Sequence, residues 1–245
     1  MEWFSHIIPF FFAPCLSICC GSLKIGTPGR QIFLFRADTL RYNRDGAQDA
    51  APARPARRKQ RSMNMKCAVV FIADGLEECE ALVTVDLLRR AGIRVITASV
   101  SGTREVTSSH QITFRTDALA EEVDYDAADI VILPGGMPGT LHLEESEFVR
   151  RKCLDFAAEK YVAAICAAPR VLGSLGILRG RRATCYPGNE ERLTGAEATG
   201  EGVVRDGNVI TGQALGSAIP FALEIIRTLL DDAAADKVAA AIVVR

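Results

Sequence analysis

The chain has 245 residues, of which 49% are hydrophobic and 24% charged, and its formal net charge is −1. The near-neutral total hides an asymmetry: residues 1–62 carry ten Lys/Arg against four Asp/Glu, while residues 63–245 carry 19 against 26. The acidic larger part lacks the clustered positive charge needed to displace counterions from nucleic acid, which excludes that class of partner.

Residues 1–62 do not read as folded protein. Phe10-Phe11-Phe12 and Ile18-Cys19-Cys20 form an apolar stretch broken by Pro9 and Pro14, and Ala51 to Ser62 is basic, proline-containing and aperiodic. The apolar stretch is too short and interrupted to span a membrane and follows Glu2 rather than a cationic start, so no membrane partner is expected. These residues read as a disordered extension, or as leader codons ahead of a true start at Met63 or Met65. A targeting segment is the competing reading.

From Lys66 onward strand-like and helix-like runs alternate. Lys66 to Ala73 reads as a buried strand, and Glu78 to Ala91 as an amphipathic helix with Leu82, Val85, Leu87 and Leu88 inward and Arg89 and Arg90 outward. Gly92 is placed to end it. Ile93 to Val100 is a second strand, Thr107 to Phe114 a short antiparallel strand or hairpin, and Ile130 to Leu133 a return to the sheet. Helix Glu145 to Glu159, strand Tyr161 to Ile165 and helix Pro169 to Leu175 continue the alternation. Thr199 to Val204 and Asn208 to Thr211 flank Asp206-Gly207 as a hairpin, followed by helices Ser217 to Leu230 and Ala233 to Val243. The pattern predicts one α/β domain over residues 63–245, a single doubly wound, mostly parallel sheet sandwiched by helices.

Five cysteines in this part, Cys67, Cys79, Cys153, Cys166 and Cys185, are an odd number without paired or metal-ligand spacing. No metal or cofactor is expected, and the protein reads as reduced and cytoplasmic. No GxGxxG follows the first strand, which argues against a dinucleotide site.

Cys166 closes the apolar run from Tyr161 and is followed at once by Ala167-Ala168-Pro169. That is a strand-to-helix elbow with a thiol at its tip, where helix N–H groups favour thiolate over thiol. The alternative is a buried cysteine acting as a small hydrophobe. Asp129-Ile-Val-Ile-Leu-Pro-Gly-Gly136 ends in two glycines whose N–H groups can face an anion, and Asp74-Gly-Leu-Glu-Glu-Cys-Glu80 sets carboxylates at a helix start. In an open parallel sheet, three such strand ends converge on one site.

Asp74 to Glu80, Leu133-Pro-Gly-Gly136 and Ala164-Ile-Cys-Ala-Ala-Pro169, in that order, resemble the ThiJ/PfpI family, in the branch of the class I glutamine amidotransferase-like superfamily that holds the parkinsonism-associated deglycase and its bacterial relatives. The resemblance implies a flavodoxin-like fold and a homodimer. It makes Cys166 the reactive cysteine, Glu80 the acid beside it, and Gly135, Gly136 and Ala167 the backbone donors around it. Without it, the better reading of Glu80 is a solvated first-turn carboxylate stabilised by the helix dipole. The chain departs from other branches in having Ala167 where they place a His, and Tyr186 where many relatives have another. His110 falls where relatives often carry an arginine near the pocket, although a surface residue of a polar turn is the plainer reading.

The implied chemistry is consumption of a small reactive aldehyde such as methylglyoxal, or of a glycated substrate, with Cys166 as nucleophile and Glu80 as proton shuttle. The rival is a redox-sensing, stress-protective protein whose oxidisable cysteine is the signal.

Overall fold

The computed structural model describes residues 65–244. The expected extension, residues 1–62, and Met63 lie outside the described residues. The elements in chain order are β1 (Cys67–Ile72), α1 (Glu78–Arg90), β2 (Arg94–Ser99), β3 (Glu105–Thr107), β4 (Thr113–Arg115), β5 (Ala118–Leu119), β6 (Ile130–Leu133), α2 (Gly139–Glu145), α3 (Glu147–Glu159), β7 (Tyr161–Ile165), α4 (Pro169–Ser174), β8 (Arg182–Ala183), β9 (Glu197–Ala198), β10 (Val203–Asp206), β11 (Val209–Gly212), α5 (Ala218–Leu229) and α6 (Asp232–Ala241).

Seven strands form the main sheet in the order β10-β11-β7-β6-β1-β2-β5. Every neighbouring pair is parallel except β10 with β11, the hairpin at one edge. β1 is central and buried at all six positions because helices cover both faces. Its side chains alternate between two cores: Ala68, Val70 and Ile72 pack with α1, α5 and α6, and Cys67, Val69 and Phe71 pack with α3 and α4. Register places the carboxyl ends of β1, β6 and β7 side by side, with Val70 beside Ile132 and Leu133 beside Ala164.

One local expectation is corrected, and one helix is added. Leu82 does not face inward but is 40% exposed, because the stripe of α1 that meets the sheet and α5 runs through Ala81, Val85 and Leu88. The expected helix Glu145 to Glu159 is found as α3, and an unexpected short helix, α2, precedes it; the two meet at Ser146, whose extended backbone ends α2 and whose side chain accepts the Val149 N–H to cap α3. The expected hairpin at Thr107 to Phe114 forms, with Thr107 of β3 paired to Thr113 of β4 around the loop 108–112. Among the described residues no helix is long and apolar enough to cross a membrane.

Candidate active site

The elbow after β7 is built by backbone pairing on two sides. Strand register carries the Cys166 N–H to the Gly212 carbonyl at 2.9 Å, and the Cys166 carbonyl accepts the Tyr186 N–H at 2.8 Å. Between these bonds the chain reverses, forcing Cys166 to φ +64°, a conformation unfavourable for a side-chain-bearing residue and held only by its surroundings. The residue stays half-buried.

Glu80 lies in the first turn of α1, yet it is 1% exposed. Its carboxyl group is hydrogen-bonded to Cys166 and accepts the Gly135 N–H on Oε2 at 3.0 Å. Gly135 must lack a side chain, since a Cβ there would lie 2.5 Å from Glu80 Oε2 and 2.7 Å from Cys166 Cβ. Gly136 sits at φ +92° with the backbone of Leu76 and Glu77 packed against it, so it too admits no substituent. The Gly135 carbonyl accepts the Glu77 N–H at 2.9 Å, which ties the start of α1 to the loop after β6.

The three expected backbone donors divide their work. Gly135 serves Glu80, while the N–H groups of Gly136 and Ala167 are directed at the Cys166 sulfur. Burial raises the Glu80 carboxyl to about 7, opposed by its hydrogen bonds to Cys166 and Gly135. The expected lowering of the Cys166 thiol is not found. Burial, then the charge and hydrogen bond of Glu80, push it up to about 12, outweighing the two N–H groups. The Glu80 contribution exists only while that carboxyl is ionised. When Glu80 takes a proton the repulsion vanishes and its O–H can donate to sulfur, so the two groups titrate as a coupled pair.

Tyr186 reaches Cys166 through its backbone, and its side chain is half exposed. His110 is exposed and meets the front of α1, with Nδ1 3.0 Å from Glu78 Oε1 and 3.6 Å from Glu77 Oε2. Its bond to Glu78 raises its pKa, while at Glu78 burial is outweighed by the hydrogen bond to the residue's own backbone together with those to His110 and Ser108, which lower the carboxyl. Donor atoms of Glu77, Glu78 and His110 lie within 4.8 Å of one another, the one group of three metal-ligand-type side chains among the described residues.

This geometry has counterparts. The DJ-1/PfpI family pattern matches residues 66–228. The chain belongs to the DJ-1/PfpI family. It is 37% identical to protein dj-1beta of Drosophila melanogaster over 67% of this chain and 89% of that one. It is 33% identical to a deglycase of Pyrococcus abyssi over 66% of this chain and 98% of the relative. Among solved structures, oxidized DJ-1 of Toxoplasma gondii superposes with a TM-score of 0.70 at 33% identity, covering 73% of this chain and 98% of that one. Within this DJ-1/PfpI frame, sequence reasoning passed over the Arg170–Glu144 ion pair between α4 and α2. No local signal marks it, because its partners are far apart in the chain and neither lies in a motif.

Proposed function

We propose that this protein consumes reactive dicarbonyls such as methylglyoxal by a cysteine-dependent, glutathione-independent reaction of the glyoxalase III or deglycase type. The observation that carries the reading is the buried Glu80 carboxyl, hydrogen-bonded to Cys166 and raised to about 7, where it can both accept and return a proton near neutrality.

The Cys166 sulfur adds to the aldehyde carbon as its proton passes to Glu80, and Glu80 returns that proton to the resulting alkoxide oxygen, completing the hemithioacetal and leaving Glu80 ionised. Ionised Glu80 then removes the proton from that carbon, and the enediol is reprotonated at the neighbouring carbon to leave a 2-hydroxyacyl thioester. Water cleaves the thioester, releasing lactate and restoring the thiol. Methylglyoxal plus water becomes lactate with no external oxidant or reductant. Gly136 and Ala167 N–H groups stabilise charge on the sulfur. Processing of glycated groups by the same nucleophile is the extension that the deglycase relative supports. A folded domain beginning near Met63, a homodimer and a cytoplasmic location complete the proposal.

Steady-state lactate formation from methylglyoxal without glutathione tests it. Lactate should appear with the native chain and not with Cys166→Ser. Equal, background-level lactate from both would sink the reading. A redox-responsive role is the second reading, favoured by one observation: the two described histidines are engaged elsewhere, His110 with Glu78 and His142 with the Asp74 carbonyl at 2.9 Å, so neither serves Cys166 as a dedicated base for turnover. Peroxide-driven sulfinate at Cys166 without dicarbonyl turnover would select it.

A further inference from the structure

Cys166 sulfur receives N–H groups from two segments, the loop after β6 through Gly136 and the elbow through Ala167. Each segment runs directly into a helix. Thr140, in the first turn of α2, donates its N–H to the Gly136 carbonyl at 2.9 Å, and Arg170, in the first turn of α4, donates its N–H to the Ala167 carbonyl at 3.3 Å. The two helices pack against one another, and one ion pair crosses between them, Arg170 Nη2 to Glu144 Oε2 at 2.9 Å. Side-chain exposures of 16% and 22% keep this pair mostly out of water.

We propose that the Arg170–Glu144 pair is a positioning device that holds α4 against α2, so that the Gly136 and Ala167 N–H groups converge on the Cys166 sulfur. Arg170 Nε is buried without a hydrogen-bond partner, and Glu144 is the acidic partner of this guanidinium among the described residues. Removing one or both members deletes the tie between α2 and α4 and lets them shift against one another, and a single removal adds a poorly hydrated charge that draws the helix toward water. Such a shift separates the two donors, and N–H bonds weaken steeply with misalignment. Neither Arg170 nor Glu144 is among the groups whose charge acts on the thiol, so the coupling runs through geometry rather than through space. The inference rests on Cys166 being the reacting atom of the proposed function, and not on which carbonyl compound it attacks.

The test is the rate of Cys166 alkylation by iodoacetamide from pH 6 to 10, read by peptide mass mapping, with near-UV circular dichroism reporting the fold. Arg170→Met and Glu144→Met should each slow alkylation about tenfold at pH 8 and displace the profile to higher pH, the effect of weakening one N–H bond to a charged acceptor. The double variant should be slowed about tenfold as well, because one pair has been lost. Simple electrostatics calls for the opposite at Glu144, where deleting a negative charge speeds alkylation. Acceleration by Glu144→Met, a double variant slowed about a hundredfold, or folded single variants with the native profile would each overturn the proposal. If a single variant does not fold, the double variant, which strands no charge, decides: a native profile in its folded form overturns it. Absence of lactate formation in the native chain with these shifts intact would reject the dicarbonyl substrate and leave the positioning role standing.

Discussion

Cys153, on the inner face of α3, and Cys166, at the elbow after β7, are both thiols pushed up to about 12, with burial the leading cause in each. Cys153 has no further influence acting on it, and its surroundings are Val149, Phe156 and the apolar side of the sheet. Cys166 has a carboxyl group and two backbone N–H groups on its sulfur. Desolvation alone therefore makes an inert thiol. A reactive one needs a proton acceptor in contact with it and donors for the charge that follows.

The sharpest way to break this contrast is to replace both sulfurs. Cys166→Ser should reduce methylglyoxal consumption by about 10³-fold or more with the fold retained, because a hydroxyl without a strong base is a far weaker nucleophile. Cys153→Ser should leave consumption unchanged and lower unfolding free energy by about 1–3 kcal/mol, since a hydroxyl then sits among apolar side chains. Lactate assays and urea melts measure the two. Loss of turnover in Cys153→Ser at unchanged stability would contradict the assignment.

Glu80 supplies the next largest effect. Glu80→Gln preserves a donor to sulfur and an acceptor for Gly135, but abolishes proton transfer, so turnover should fall by about 10²-fold. The same change removes the carboxylate charge that raises the thiol, so alkylation of Cys166 should become faster between pH 7 and 9. Peroxide oxidation to sulfinate should persist in Glu80→Gln and be lost in Glu80→Leu, by intact-mass measurement. Slower alkylation in Glu80→Gln would mean that protonated Glu80 already stabilises the thiolate in the native protein.

Stability against pH tests the same carboxyl without chemistry. The folded pKa is raised from 4.5 to about 7, so the folded chain holds the proton more tightly than the unfolded one. The resulting stabilisation is fully present below pH 4.5 and is lost as pH rises through about 7, roughly 3 kcal/mol in all. Subtracting denaturant melts of Glu80→Gln from those of the native chain should isolate this slope. A flat difference between pH 4.5 and 8 would place Glu80 in water.

Tyr186→Phe should have the smallest effect, less than about threefold on turnover. Tyr186 contacts the elbow through its backbone N–H, which phenylalanine retains, and its ring is half exposed. A loss comparable with that of Glu80→Gln would move the proton-transfer role to the phenol.

Much of the fold is legible in local sequence. β1, β6 and β7 are short apolar runs bounded by turn residues, and a strand buried on both faces writes that pattern directly. α2 is not legible, because it is short, begins at Gly139 and has little apolar periodicity. Leu82 is misplaced for a related reason: period alone gives an apolar stripe to within a residue, and small Ala81 lets α1 approach its neighbours on one side of that stripe.

The site divides the same way. The sequence by itself determined the elbow at Cys166, the glycines at 135 and 136 and the family, since each depends on residue types within a few positions of one another. Only the tertiary structure decided that Glu80 is buried rather than solvated, that Gly135 donates to it and not to the sulfur, and that Arg170 meets Glu144. It also reversed the expected direction for the Cys166 thiol. Helix N–H groups near an elbow are a local feature and can be read in advance. Desolvation and the approach of a carboxylate are summed over groups that the chain brings together from distant positions, and they are larger.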